Sequence, residues 1–133
     1  DVRITIVAEC EITSTETLDF GTQGVPGTDV DATATMEVTC TDTTPYDIGL
    51  NEGLGAGATT SVRQMTSGGE TIAYALFQDA GRVTNWGNAV GADTQPATGT
   101  GDAQSFTVFG RVLAQATPAP GTYTDTVTVT VTY

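Results

Sequence analysis

The chain reads as all-β, an immunoglobulin-like sandwich of about seven short strands. Three observations predict this. Twenty-eight of the 133 residues are threonine, a β-branched residue that packs well on a pleated, half-buried surface. Sixteen glycines and five prolines punctuate short valine-rich runs, as expected of strands joined by frequent turns. No segment of helix length carries apolar residues at a 3.6-residue period, and no internal repeat is visible.

The first strand-like stretch is residues 1–9. Val2, Ile4, Ile6 and Ala8 alternate with Asp1, Arg3 and Thr5, with Val7 off the pattern. Successive strand side chains point to opposite faces, so this is an amphipathic strand beginning at Asp1. Chain ends fray unless something ties them down. Such a strand is therefore either stitched into its own sheet or kept for another molecule.

Residues 32–40 alternate through Ala34, Met36 and Val38, and segments 46–50, 71–78 and 105–114 are the next predicted strands. Segments 53–57 and 87–101, rich in glycine and small residues, are expected as loops. The clearest strand is 123–133. Tyr123, Val127, Val129, Val131 and Tyr133 share one face, and the threonines at 124, 126, 128, 130 and 132 line the other. Pro118, Pro120 and Gly121 mark the turn before it. Both ends thus read as strands, and open strand edges are aggregation hazards.

A length of 133 residues bounds the chain to one domain with one core. Sixteen acids stand against four arginines and no lysine, a net charge of −12. That balance opposes binding to nucleic acid or to anionic membrane surfaces, both of which need a basic patch. No 20-residue apolar run is present to insert into a membrane as a helix. With no histidine there is no Ser-His-Asp triad and no imidazole metal site; with no lysine there is no Schiff-base chemistry. The even pair Cys10 and Cys40 suggests a disulfide formed in an oxidising compartment, with a reduced, buried pair as the alternative.

Other motifs read as structural. Gly53-Leu-Gly-Ala-Gly-Ala lacks the third glycine and the strand-to-helix context of a phosphate loop. Asp29 with Asp31, or Asp42 with Asp47, offers oxygens but follows no calcium-loop pattern. Trp86, Tyr74 and Phe77 are expected in the core rather than as a sugar platform. Asp79 and Arg82 are expected to pair across a turn, with Trp86 closing the sandwich edge. No cofactor is expected.

A series of short motifs runs through nearly the whole chain. In order they are Cys10, Leu18-Asp-Phe-Gly21, Val38-Thr-Cys-Thr41 and Pro45-Tyr-Asp-Ile-Gly-Leu50. Arg63-Gln-Met65, Tyr74 through Trp86-Gly87, Val108-Phe-Gly-Arg-Val112 and Gly121-Thr-Tyr-Thr-Asp-Thr-Val127 up to Tyr133 follow. The ordered set resembles the spore coat protein U domain, which is shared with subunits of archaic chaperone–usher pili.

The resemblance implies an incomplete immunoglobulin-like β-sandwich completed by donor-strand exchange from a neighbouring subunit. A periplasmic chaperone fills the groove first, and at an outer-membrane usher the N-terminal strand of the next subunit replaces it. On this reading residues 1–9 are the donor strand and 10–133 the pilin domain. Val2, Ile4, Ile6 and Ala8 are the donor plugs, and a disulfide joins Cys10 to Cys40. The partners implied are identical or homologous pilins in an extracellular, cell-surface fibre serving adhesion and biofilm formation, with no catalytic residues. Carrying a donor strand predicts a shaft subunit. The rival is a self-contained secreted binding module or spore-coat matrix protein, in which residues 1–9 complete their own sheet.

Overall fold

The structure, a computed structural model, describes residues 1–24 and 27–133. Among the described residues eight strands are formed: β1 (Cys10–Thr15), β2 (Val30–Cys40), β3 (Pro45–Leu50), β4 (Arg63–Ser67), β5 (Glu70–Phe77), β6 (Gln95–Thr98), β7 (Ala103–Val112) and β8 (Val129–Thr132). They build a five-stranded sheet in the order β1-β2-β7-β5-β4 and a three-stranded sheet in the order β6-β3-β8. All pairings are antiparallel. The fold is an all-β, immunoglobulin-like sandwich.

The period-two pattern dictates the core. Met36, Val38 and Cys40 from β2 meet Tyr46, Ile48 and Leu50 from β3, with Tyr74 and Leu76 of β5 and Val108 and Val112 of β7. Trp86 lies fully inside this cluster and donates its indole N–H to the Ile48 carbonyl at 2.8 Å. Trp86 is in the core, as expected, rather than merely closing an edge: the turn after β5 folds back onto the sheet, and Trp86 N–H donates to Leu76 O.

Three further expectations are corrected. The predicted loop 87–101 contains β6, whose Pro96 lies opposite Asp47; a proline is tolerated there because β6 is an edge strand. The side chains of Asp79 and Arg82 do not pair; across the turn only the Arg82 backbone N–H donates to the Asp79 carbonyl, at 3.0 Å. The Asp79 carboxylate accepts the N–H groups of Val83 and Thr84, while Arg82 turns inward to the carbonyls of Gly110 and Ala32 and lies 3.5 Å from Asp31.

The strand predicted over 123–133 is a strand only over Val129–Thr132, and Tyr133 is exposed. Its alternation persists, with Val127, Val129 and Val131 half-buried and the intervening threonines exposed, but no single ladder serves it. Thr124 bridges Thr66 of β4, whereas Val129 and Val131 oppose Leu50 and Ile48 of β3. Between them the chain crosses from one sheet to the other. Polar side chains hold the crossing: Asp125 accepts the Tyr74 hydroxyl at 2.6 Å and the Leu54 N–H at 2.8 Å, and Asn51 Oδ1 accepts the Thr128 N–H at 2.9 Å.

Candidate functional site

Among the described residues, two features lack a partner within the molecule. The first is residues 1–9. Among the described residues they pair with no strand, and Val2, Ile4 and Ile6 are 101%, 82% and 71% exposed, with Ala8 exposed as well. A run of apolar side chains in water forgoes roughly 1.5–3 kcal/mol for each that could be buried.

The root of this segment is fixed. Cys10 lies opposite Cys40 in the β1–β2 register and is joined to it by a disulfide. Thr41 N–H donates to Glu9 O at 2.9 Å, and Thr41 Oγ1 accepts the Glu9 N–H at 2.9 Å. The segment leaves the domain from a clamped point.

The second feature is a groove of about 1120 Å³ across the inner face of the larger sheet. Its floor is apolar: Met36 from β2, Val108 and Val112 from β7, and Ile72, Tyr74 and Leu76 from β5. Residues 15–24 form one wall, and 117–127 with Val129 of β8 form the other. Leu18 and Phe20 project from the first wall onto the core, as Val127 and Val129 do from the second. Among the described residues, 17–24 and 117–123 make no backbone-to-backbone hydrogen bond. Unpaired backbone beside apolar surface is the environment that accepts an added strand.

Open edges elsewhere are covered or blocked. The outer edge of β4 is bridged by Thr124 through two hydrogen bonds, and β6 is four residues long with a proline inside it. Among the described residues the uncovered edges are β1 and β8, one from each sheet; the two strands come into contact, and Thr15 and Val129 from them line the groove.

Arg63 of β4 lies opposite Tyr74 of β5 in the strand register. It has no exposed surface, and its guanidinium donates to the carbonyls of Leu50, Asn51, Thr60 and Trp86 at 2.8–3.0 Å. Burial pushes its pKa below the ordinary arginine value, with Tyr74 and Asp125 among the groups opposing that shift. In the sequence Arg63 stands only as part of the Arg63-Gln-Met65 motif, because no local pattern distinguishes a buried arginine satisfied by carbonyls from a surface one. Leu18 and Phe20 carry a readable signal, an i, i+2 apolar pair shortly beyond the end of β1, after Glu16 and Thr17. Of the acids weighed as calcium donors, Asp29 and Asp31 face Arg111 at the surface, and Asp47 accepts the hydroxyl of the buried Thr94.

The profile of the Spore Coat Protein U domain family matches residues 1–130. The chain belongs to that family. Protein U of Myxococcus xanthus is 34% identical to it over 129 residues, covering 88% of this chain and 72% of Protein U. Among solved structures, a chain in the crystal structure of the CsuC–CsuE chaperone–tip adhesion subunit pre-assembly complex, from archaic chaperone–usher Csu pili of Acinetobacter baumannii, superposes with a TM-score of 0.66 at 29% identity. The match covers 97% of this Spore Coat Protein U domain chain and 40% of that one.

Proposed function

We propose that this chain is a structural subunit of an extracellular chaperone–usher pilus and polymerises by donor-strand exchange. Residues 1–9 of one copy enter the groove of the next, with Val2, Ile4, Ile6 and Ala8 as the inserted side chains. The observation that carries this reading is the coexistence, in one chain, of an exposed period-two apolar segment and an apolar groove flanked by unpaired backbone. A donor and an acceptor at different places on one subunit make a head-to-tail contact that does not close, so the product is a fibre. Main-chain hydrogen bonds supply affinity, and alternate side chains supply specificity.

The similarity to a chain of a chaperone–subunit complex supports a periplasmic chaperone as the occupant of the groove before assembly, with an outer-membrane usher as the place of exchange. The subunit's role is structural, in the shaft, and the fibre serves adhesion and biofilm formation.

Electrophoresis of the native material in SDS, with and without boiling, tests the proposal. The expected result is a ladder that collapses on boiling to a band near 13.6 kDa, and loss of that ladder in Ile4→Asp and Ile6→Asp chains. A monomer band in both lanes, from material purified without a chaperone, would instead mean that residues 1–9 complete their own domain. Fibres of normal length from the aspartate variants would refute the donor assignment.

A further inference from the structure

The two walls of the groove are joined beneath it by a line of side-chain contacts. Residues 17–24 make no backbone bond to either sheet among the described residues, so side chains hold this wall in place. Leu18 and Phe20 rest on Gly110 of β7. A Cβ at Gly110 would lie 2.9 Å from Leu18 Cδ1 and 2.9 Å from Phe20 Cζ, closer than van der Waals contact allows. The Phe20 ring then meets Tyr74 edge-on, with centroids 6.3 Å apart. The Tyr74 hydroxyl donates to Asp125 in the opposite wall at 2.6 Å, and the other Asp125 oxygen accepts the N–H groups of Leu54 and Thr126 at 2.8 and 2.9 Å.

We propose that Gly110, Phe20, Tyr74 and Asp125 form a brace that sets the width of the groove, and that they are positioning residues for the strand it receives. This rests on the donor-strand reading above. A strand hydrogen-bonded on both sides needs its neighbours about 4.8 Å away on each side, hence walls about 9.6 Å apart. The wall 17–24 has no ladder of its own to fix that distance. The brace supplies the fixing: Gly110 lets the wall sit low, and the Phe20–Tyr74–Asp125 line ties it to the far side. Burial and the Asp125 contact raise the Tyr74 pKa well above the ordinary phenol value, so the hydroxyl keeps its proton and the link survives across the neutral range.

The test uses the full chain carrying Ile4→Asp and Ile6→Asp, which leaves its groove open, as host. The probes are synthetic peptides of residues 1–9: the native sequence, four with a single Val2→Trp, Ile4→Trp, Ile6→Trp or Ala8→Trp change, and an Ile4→Asp control. Competition against the labelled native peptide ranks them. Where a host folds only with peptide present, the melting midpoint of the refolded complex gives the same ranking.

With the brace intact, the worst tolerated tryptophan peptide is expected to bind about tenfold or more below the native one, because overfilling a packed site is penalised. Adding Tyr74→Phe, Asp125→Asn or Gly110→Ala to the host loosens or lifts a wall, and that discrimination is expected to fall by about threefold or more. A role in stability alone would lower every host's melting point and leave the ratio between peptides unchanged; that result overturns the brace. If the Ile4→Asp peptide binds as well as the native one, the donor reading itself fails and there is no strand for the brace to gauge.

Discussion

The two ends of this chain carry the same pattern and are treated in opposite ways. Val2, Ile4 and Ile6 alternate with polar residues and stand in solvent; Val127, Val129 and Val131 alternate with threonines and are half-buried against the core. The C-terminal residues have a partner in their own molecule, since Val129 opposes Leu50 and Val131 opposes Ile48. The N-terminal residues have none among the described residues. A two-residue period says that a strand has one face to bury. It does not say whose core will bury it. That is decided by the topology, which closes the sandwich on one side and leaves a groove on the other.

The sharpest way to break the comparison is at the joint between tail and domain. Replacing both Cys10 and Cys40 by serine removes a cross-link spanning 30 residues, which costs the folded domain roughly 3–4 kcal/mol on the loop-entropy account. Urea titration of oxidised and double-serine chains should show that loss as a lower midpoint, with a slope equal or steeper because the uncrosslinked unfolded chain exposes more surface. Equal midpoints would mean that the β1–β2 ladder alone fixes the root of the tail.

Next in size is a matched pair of substitutions. Val129→Asp places a charge on the half-buried face of β8 and is expected to cost about 2–3 kcal/mol of stability. Ile4→Asp changes a residue already in water, so the unassembled domain should keep its melting temperature while assembly is lost. If both variants destabilise the domain equally, the two ends are not distinct, and residues 1–9 pack against their own chain in solution.

A smaller effect tests how the C-terminal segment is steered. Asn51 Oδ1 accepts the N–H groups of Gly53 and Thr128. Asn51→Ala leaves both donors to water and should cost about 1 kcal/mol. Amide exchange at Thr128 should quicken, while that at Thr39, paired between β1 and β7 in the larger sheet, should not.

Much of the fold was legible because burial follows alternation. The strands at 32–40, 46–50, 71–78 and 105–114 correspond to β2, β3, β5 and β7, which together supply most of the core. Legibility failed where long-range contacts decide. β6 follows a glycine-rich run and includes a proline, so nothing local marks it as a strand. The crossing at 124–128 depends on Asp125 and Asn51 meeting residues far away in sequence. Arg82 sits beside Asp79 in sequence, yet its guanidinium stacks over Phe109 and reaches β2 and β7. The exposed tail was visible as a pattern, and the groove was not. Its walls carry local signs, the Leu18-Asp-Phe20 pair in one and the Pro118–Gly121 turn with the alternation after it in the other, but neither says that the two segments face each other.

The smallest expected effect sets the scale of a surface contact that belongs to neither end. Arg111 of β7 donates two hydrogen bonds, 2.8 and 3.1 Å, to Asp31 of β2, and Arg82 lies 3.5 Å away. These contacts, the Arg111 hydrogen bonds foremost, hold the Asp31 carboxyl below the ordinary carboxylate range. Its folded pKa is lower than its unfolded one, so the stabilisation is complete above the unfolded value, near pH 4, and disappears as pH falls through the folded value. Asp31 and Arg111 are both partly exposed, so solvent screening limits the pair to about 0–1 kcal/mol. Asp31→Asn should therefore lower stability slightly at neutral pH, and its curve should merge with that of the parent chain on acidification. The same substitution should leave the SDS-resistant ladder unchanged, because the pair bridges the β2–β7 ladder rather than the groove.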